Sequence, residues 1–290
     1  MSIIDDGDAG FASTSGFLSY SGQGYGNDVK YADIPARVII DNVDAGFSPG
    51  SFTSYSGQGY GNSVHFIEAG ESPYEQASWR ASGLVAGPYL LSTTWTPHEN
   101  RADNAPYLAS ETRLSGTSVL LDEAVNQKIS PVGFTEQGTV FKRLNEGSPI
   151  TLVGDLGAAN IKVELSNNAN GYVIADAVLL EYLDVASWTF SVAPGDYKVS
   201  VTWSEHANRA TNAPFSIYDG SATSTPLSTT LVNQRNAPAD FTQGGVNWHR
   251  LNNGNAVTIT GNSLVVRLTN NNVDGFVIAD AVLEEAFTSG

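Results

Sequence analysis

Apolar residues recur at every second position along much of the chain. In "DYKVSVTW", Tyr197, Val199, Val201 and Trp203 fall on one face, while Lys198, Ser200 and Thr202 fall on the other. Tyr89, Leu91, Thr93 and Trp95 repeat that pattern. Leu264, Val266 and Leu268 alternate with Val265, Arg267 and Thr269, and Ile161, Val163 and Leu165 alternate with Lys162 and Glu164. A period of two marks a half-buried antiparallel strand with a core side and a wet side. The segments "GYVIADAVLLEYL" and "GFVIADAVLEEAF" contain alanines that suit a helix, but their Val and Ile content and the preceding Asn-Gly or Asp-Gly favour a strand entered from a turn. No window sustains a 3.6-residue period. The expected fold is all-β, built as two jelly-roll-like antiparallel β-sandwiches.

Repeats set the domain plan. The peptide "SYSGQGYGN" stands unchanged at 19–27 and at 54–62, each copy preceded by a related block, "IIDDGDAGF" (3–11) or "IIDNVDAGF" (39–47). Further on, "ASW" occurs at 77–79 and 186–188, and "WTPHENRADNAPY" (95–107) matches "WSEHANRATNAPF" (203–215). "VNQ" at 125–127 recurs at 232–234, and "VELSNNANGYVIADAVLLE" (163–181) returns as "VRLTNNNVDGFVIADAVLEE" (266–285). Only the span from about 39 to 183 carries every block in order. The first copy stops at 33, and the last begins at 184 without its opening. Residues 1–33 with 184–290 therefore read as one discontinuous sandwich, with 34–183 inserted into it. Insertion is tolerated when the guest's two ends lie close together. The competing arrangement lets 1–33 complete the C-terminal unit of a neighbouring molecule, which generates swapped dimers or head-to-tail fibres.

Charge narrows the list of partners. Fourteen basic against 30 acidic residues give a formal net charge of −16 over 290 residues. That argues against nucleic acid and anionic membranes, both of which need clustered Lys and Arg. There is no cysteine, hence no disulfide, thiolate nucleophile or zinc–sulfur centre. No apolar run is long enough to insert into a membrane. The opening "MSIIDDGDAG" has neither the basic nor the apolar region of a secretion leader.

Taken together, the blocks I-D-x-x-D-A-G-F, Y-G, A-S-W, W-x-x-H-x-N-R-A-x-N-A-P, V-N-Q and G-Y-V-I-A-D-A-V resemble the golvesin C-terminal-like domain, also found as a carbohydrate-binding-like module of xanthan lyases and in large bacterial surface proteins. The resemblance covers essentially the whole chain, counted as two copies. It implies an extracellular or cell-surface all-β module that binds a polysaccharide or cell-surface glycan. The departure from the family is architectural, with one copy split around the other and no catalytic domain beside them.

Three groups of residues carry candidate chemistry. Trp95, His98, Asn100, Arg101 and Asn104, with their counterparts Trp203, His206, Asn208, Arg209 and Asn212, offer an aromatic face and planar donors, as a sugar site requires. The same residues also suit the tying-down of a long loop through backbone carbonyls. Asp41 and Asp44 with Asp176, and Asp5 and Asp8 with Asp280, gather carboxylates from first and last strands. Those acids either hold Ca²⁺, which takes six to eight oxygens, or cap turns. "GQGYGN" lacks the Lys-Ser/Thr of a phosphate loop and reads as a tight turn whose Tyr25 and Tyr60 plug their own cores. No histidine falls in a hydrolase or metalloprotease pattern, so a non-catalytic carbohydrate-binding or adhesive protein is the expectation. The alternative is a self-assembling subunit of an extracellular fibre or surface coat, built by N-terminal strand exchange.

Overall fold

The structure, a computed structural model, describes residues 1–155, 158–221 and 225–287. These residues form strands joined by turns, and the helical segments among them are three-residue 3-10 turns. The chain divides into two compact units, Met1–Pro35 with Leu183–Gly290 and Ala36–Tyr182.

In the split unit a 6-stranded sheet places Ser2–Ile4 beside Val282–Phe287, followed by Gly195–Val201, Val246–Arg250 and Phe241–Gln243. Val257–Ile259 also pairs with Gly195–Val201. A 5-stranded sheet runs Phe11–Ser13, Val185–Ser191, Ser263–Thr269, Ala213–Asp219, Ser228–Val232, and a 3-stranded sheet runs Val277–Ala279, Asp28–Ala32, Leu18–Ser21. All of these ladders are antiparallel. The alternating residues explain the layering. Tyr197, Val199 and Val201 from the first sheet join Trp188, Val266 and Leu268 from the second in one buried cluster. The inner unit has sheets of the same sizes, and its Tyr89 and Leu91 meet Trp79, Val163 and Leu165 in the corresponding cluster. Both units are thus antiparallel sandwiches.

Two expectations from the residue pattern change. The face carrying Ser200 and Thr202 is not wet, because both residues are buried. Ser200 lies opposite Leu283 in the ladder, on the side covered by a second small core of Trp248, Ala281 and Leu283. Tyr25 packs against that core, its ring centroid 6.0 Å from Trp248. Tyr60 does the same in the inner unit, 5.8 Å from Phe141.

The segment "GFVIADAVLEEAF" is also not one strand but two, Val277–Ala279 in the 3-stranded sheet and Val282–Phe287 in the 6-stranded one. Asp280 makes the corner. Its side chain accepts the Tyr25 N–H at 2.9 Å, and its carbonyl accepts the indole N–H of fully buried Trp188 at 3.1 Å. Asp176 makes the equivalent corner with Tyr60 at 3.0 Å and Trp79 at 3.1 Å. Holding two backbone-level hydrogen bonds at one residue lets the chain change sheets without orphaned polar groups.

The V-N-Q repeat acquires a reason. Gln234 is fully buried, and its amide Nε2 donates to the Ile278 carbonyl while its Oε1 accepts the Ile278 N–H, both at 2.8 Å. One side chain therefore serves the open edge of Val277–Ala279 as a neighbouring strand would. Gln127 treats Ile174 identically, at 2.8 Å in both directions.

Candidate functional site

The Trp–His–Asn–Arg loop follows the strand Gly195–Val201 and is braced from below. The Ala210 N–H donates to the Phe276 carbonyl at 2.8 Å, and the Phe276 N–H donates to the Asn208 carbonyl at 3.1 Å. Gly275 permits this approach. A Cβ there would lie 2.7 Å from the Asn208 carbonyl oxygen and 2.8 Å from that of Arg209. The glycine before "FVIADAV" is therefore needed for close packing, in place of the hairpin turn that Asp-Gly suggests. Asn212 belongs to the brace as well, with its Oδ1 accepting the Asp274 N–H at 3.1 Å and its Nδ2 donating to the Asn272 carbonyl at 2.7 Å. Asn104 likewise accepts the Asn170 N–H, at 2.9 Å.

The tryptophans do not offer a ring face to a ligand, which corrects the expected role of both. Trp203 is only 6% exposed and Trp95 4%. Their indole N–H groups are consumed by the Asn236 and Ile129 carbonyls, each at 2.9 Å. An indole in the core contributes burial and leaves nothing for a sugar to stack on.

What remains exposed is the tip. His206 Nδ1 lies 2.7 Å from Asn208 Oδ1, which also accepts from Arg209 Nη1 at 3.1 Å. The inner unit repeats this with His98, Asn100 and Arg101 at 2.8 and 3.1 Å. The asparagine oxygen fixes the guanidinium plane. Arg209 Nε is buried with no hydrogen-bond partner, and no carboxylate pairs with Arg209 among the described residues. Burial pulls its basicity down.

Beside the tip lies an open cleft of about 320 Å³, lined by Tyr20, Gln23, Tyr31, His206, Asn208, Arg209 and Phe276. One of its three aromatic walls, Tyr20, comes from the peptide whose glycines suggest a tight turn. Tyr20, inside "SYSGQGYGN", is 55% exposed, and Tyr31 meets Phe276 edge-on at 5.8 Å. The identical peptide at 54–62 was the available signal, but nothing in it says which tyrosine faces outward.

The acidic groups separate by role. Asp8 Oδ2 accepts the Asp5 N–H at 3.0 Å and Asp44 Oδ2 accepts the Asp41 N–H at 2.8 Å, so both carboxylates are occupied as turn caps. Asp280 and Asp176 hold the corners described above, and burial pushes each up to about 8. The oxygens that do converge belong to Asp5, Asp6 and Asp28, within 4.8 Å of one another. Asp5 is the one expected ligand in this group; Asp6 and Asp28 were not foreseen.

An antiparallel β-sandwich with an aromatic cleft beside an arginine-bearing loop is the class this geometry defines. Residues 181–284, nearly all of them in the second part of the split unit, match the Golvesin C-terminal domain. Among solved structures, the xanthan lyase of Paenibacillus shares 14% identity over 90% of this chain and 26% of its own, with a TM-score of 0.26. The cleaved adhesin domain of Lys-gingipain shares 14% identity over 60% of this chain and 96% of its own, with a TM-score of 0.23. The chain thus spans about a quarter of the lyase's length. No curated protein matches it.

Proposed function

We propose that the protein is a non-catalytic, extracellular carbohydrate-binding or adhesive protein, and that the cleft between Tyr20 and Arg209 is its glycan site. The observation that supports this most is the pairing of an exposed tyrosine face with an oriented guanidinium that has no carboxylate partner among the described residues. A pyranose presents C–H groups to one side and hydroxyls to its rim, which is the complement of such a pair. The Golvesin C-terminal domain match and the glycan binding implied by the family resemblance agree with this reading. The inner unit, read as a second copy of the module, sets Tyr55, Phe66 and Tyr172 near one another, with ring centroids 6.5 and 6.1 Å apart, and carries His98, Asn100 and Arg101 in the matching loop. Two such sites on one chain gain avidity on a repeating polymer when both can engage it.

Titration calorimetry with neutral and acidic polysaccharides, after a glycan-array screen, tests the proposal. Tyr20→Ala and Arg209→Ala should each weaken binding with little change in melting temperature, since both side chains reach the surface. Binding that survives Arg101→Ala combined with Arg209→Ala would remove the loop from the site.

A further inference from the structure

The two units differ where the acids converge. The block I-I-D-D-G-D in the split unit reads I-I-D-N-V-D in the inner one, so Asp6 corresponds to Asn42, and Asp28 corresponds to Ser63. In the inner unit these neutral groups satisfy each other. The Asn42 side-chain amide lies 3.0 Å from His65 Nδ1 and 3.1 Å from Ser63 Oγ. The pocket is closed by its own hydrogen bonds.

In the split unit three carboxylates stand in the same place. Asp6 is 3% exposed, and its Oδ1 is buried with no hydrogen-bond partner. It stands within the group of Asp5, Asp6 and Asp28 oxygens, all inside 4.8 Å. Lys30 directs its Nζ to Ser19 Oγ at 2.8 Å, and its charge still favours the Asp6 carboxylate against the repulsion of Asp28 and Asp5. Gly26 lets the turn close on Asp5, since a Cβ there would lie 2.3 Å from Asp5 Oδ2, as one on Gly61 would from Asp41 Oδ2. A buried carboxylate oxygen without a donor is costly, and three carboxylates together compound the cost unless a cation joins them.

We propose that Asp5, Asp6 and Asp28 of the split unit form a divalent-cation site, with Ca²⁺ as its ion, and that the inner unit has lost the site through Asn42 and Ser63. The donor set is all oxygen, as a hard cation requires. Three carboxylates in irregular loops suit calcium better than magnesium, which demands near-octahedral geometry and keeps most of its waters. The ion would pin the Asp5–Asp8 turn to the nonapeptide turn at Gly24–Asn27, and so set the base of the segment that carries Tyr20.

The test uses the full chain, stripped with chelator and titrated with Ca²⁺ or Mg²⁺, followed by calorimetry and thermal melting. One Ca²⁺ per chain with a raised melting temperature is expected, because a ligand held only by the folded state stabilises it by mass action. The double variant Asp6→Asn with Asp28→Ser, which copies the inner unit, should lose both the heat and the thermal rise, and should exceed the parent's stability in chelator. No heat and no shift for the parent chain at millimolar Ca²⁺ would overturn the proposal, a result that does not depend on how any variant folds. A calcium response that persists in the double variant, or preference for Mg²⁺, would overturn it equally.

Discussion

Replacing Gln234 with Leu isolates the stand-in strand from the rest of the fold. The side chain keeps its approximate volume, so little cavity forms, but the Ile278 N–H and carbonyl lose their partners at 2.8 Å. Ile278 is fully buried, so water does not reach those groups. Each orphaned group costs about 1–3 kcal/mol, which places the loss for the pair at about 2–6 kcal/mol before any gain from the more apolar leucine. At about 2–4 °C per kcal/mol for a unit of this size, a central loss of about 4 kcal/mol lowers the melting point by about 8–16 °C. Urea unfolding followed by tryptophan fluorescence reads it, because Trp188, Trp203 and Trp248 report on the split unit and Trp79 and Trp95 on the inner one. The matching change Gln127→Leu should move the other unit's transition by a similar amount. A loss below about 1 kcal/mol for Gln234→Leu would refute the claim that this amide carries the edge of the sheet.

Two further outcomes follow from the geometry. Asp176 is lifted to about 8 chiefly by burial, with Asp41 adding to the rise and the Tyr60 N–H opposing it. Its folded pKa exceeds its ordinary value of 3.8, so the folded state binds the proton more tightly, and stability falls as pH climbs from about 4 to about 8. Asp176→Asn should gain on the parent across that window by up to about 1.4 kcal/mol per pH unit, measured as urea midpoints at several pH values in chelator; a difference that does not vary with pH would count against the buried acid. Gly275→Ala forces a methyl group against the Asn208 and Arg209 carbonyls and should cost about 1–3 kcal/mol. It should also weaken glycan binding by shifting Arg209, and unchanged calorimetry on both counts would show that the loop yields freely.

The strands were legible because alternation is a local property: Tyr197, Val199 and Val201 are spaced to share a face whatever lies opposite them. The corners at Asp176 and Asp280 were not, since a run such as "VIADAV" carries no mark of the tyrosine N–H and the indole that bend it. The site divides in the same way. Asn100, Arg101, Asn208 and Arg209 were visible as a polar cluster close in sequence. Tyr20 joins Arg209 only through pairing between the first and last parts of the chain, and the buried tryptophans took an aromatic role that composition alone assigns to the surface. Asp6 and Asp28 were missed because a chain position says nothing about whether a carboxylate finds a donor.

The interleaving of the two units also sets an order of events during synthesis. Residues 36–182 emerge as an uninterrupted unit, whereas the Ser2–Ile4 strand must wait for Val282–Phe287, its partner in the finished sheet. At about 5–20 residues per second, the intervening unit alone occupies the ribosome for about 7–30 s. Throughout that interval Ser2–Ile4 and Phe11–Ser13 are translated without their partners, and the hairpin of Leu18–Ser21 with Asp28–Ala32 waits for Val277–Ala279. The Val282–Phe287 strand therefore closes the split unit only after the inner unit has been made.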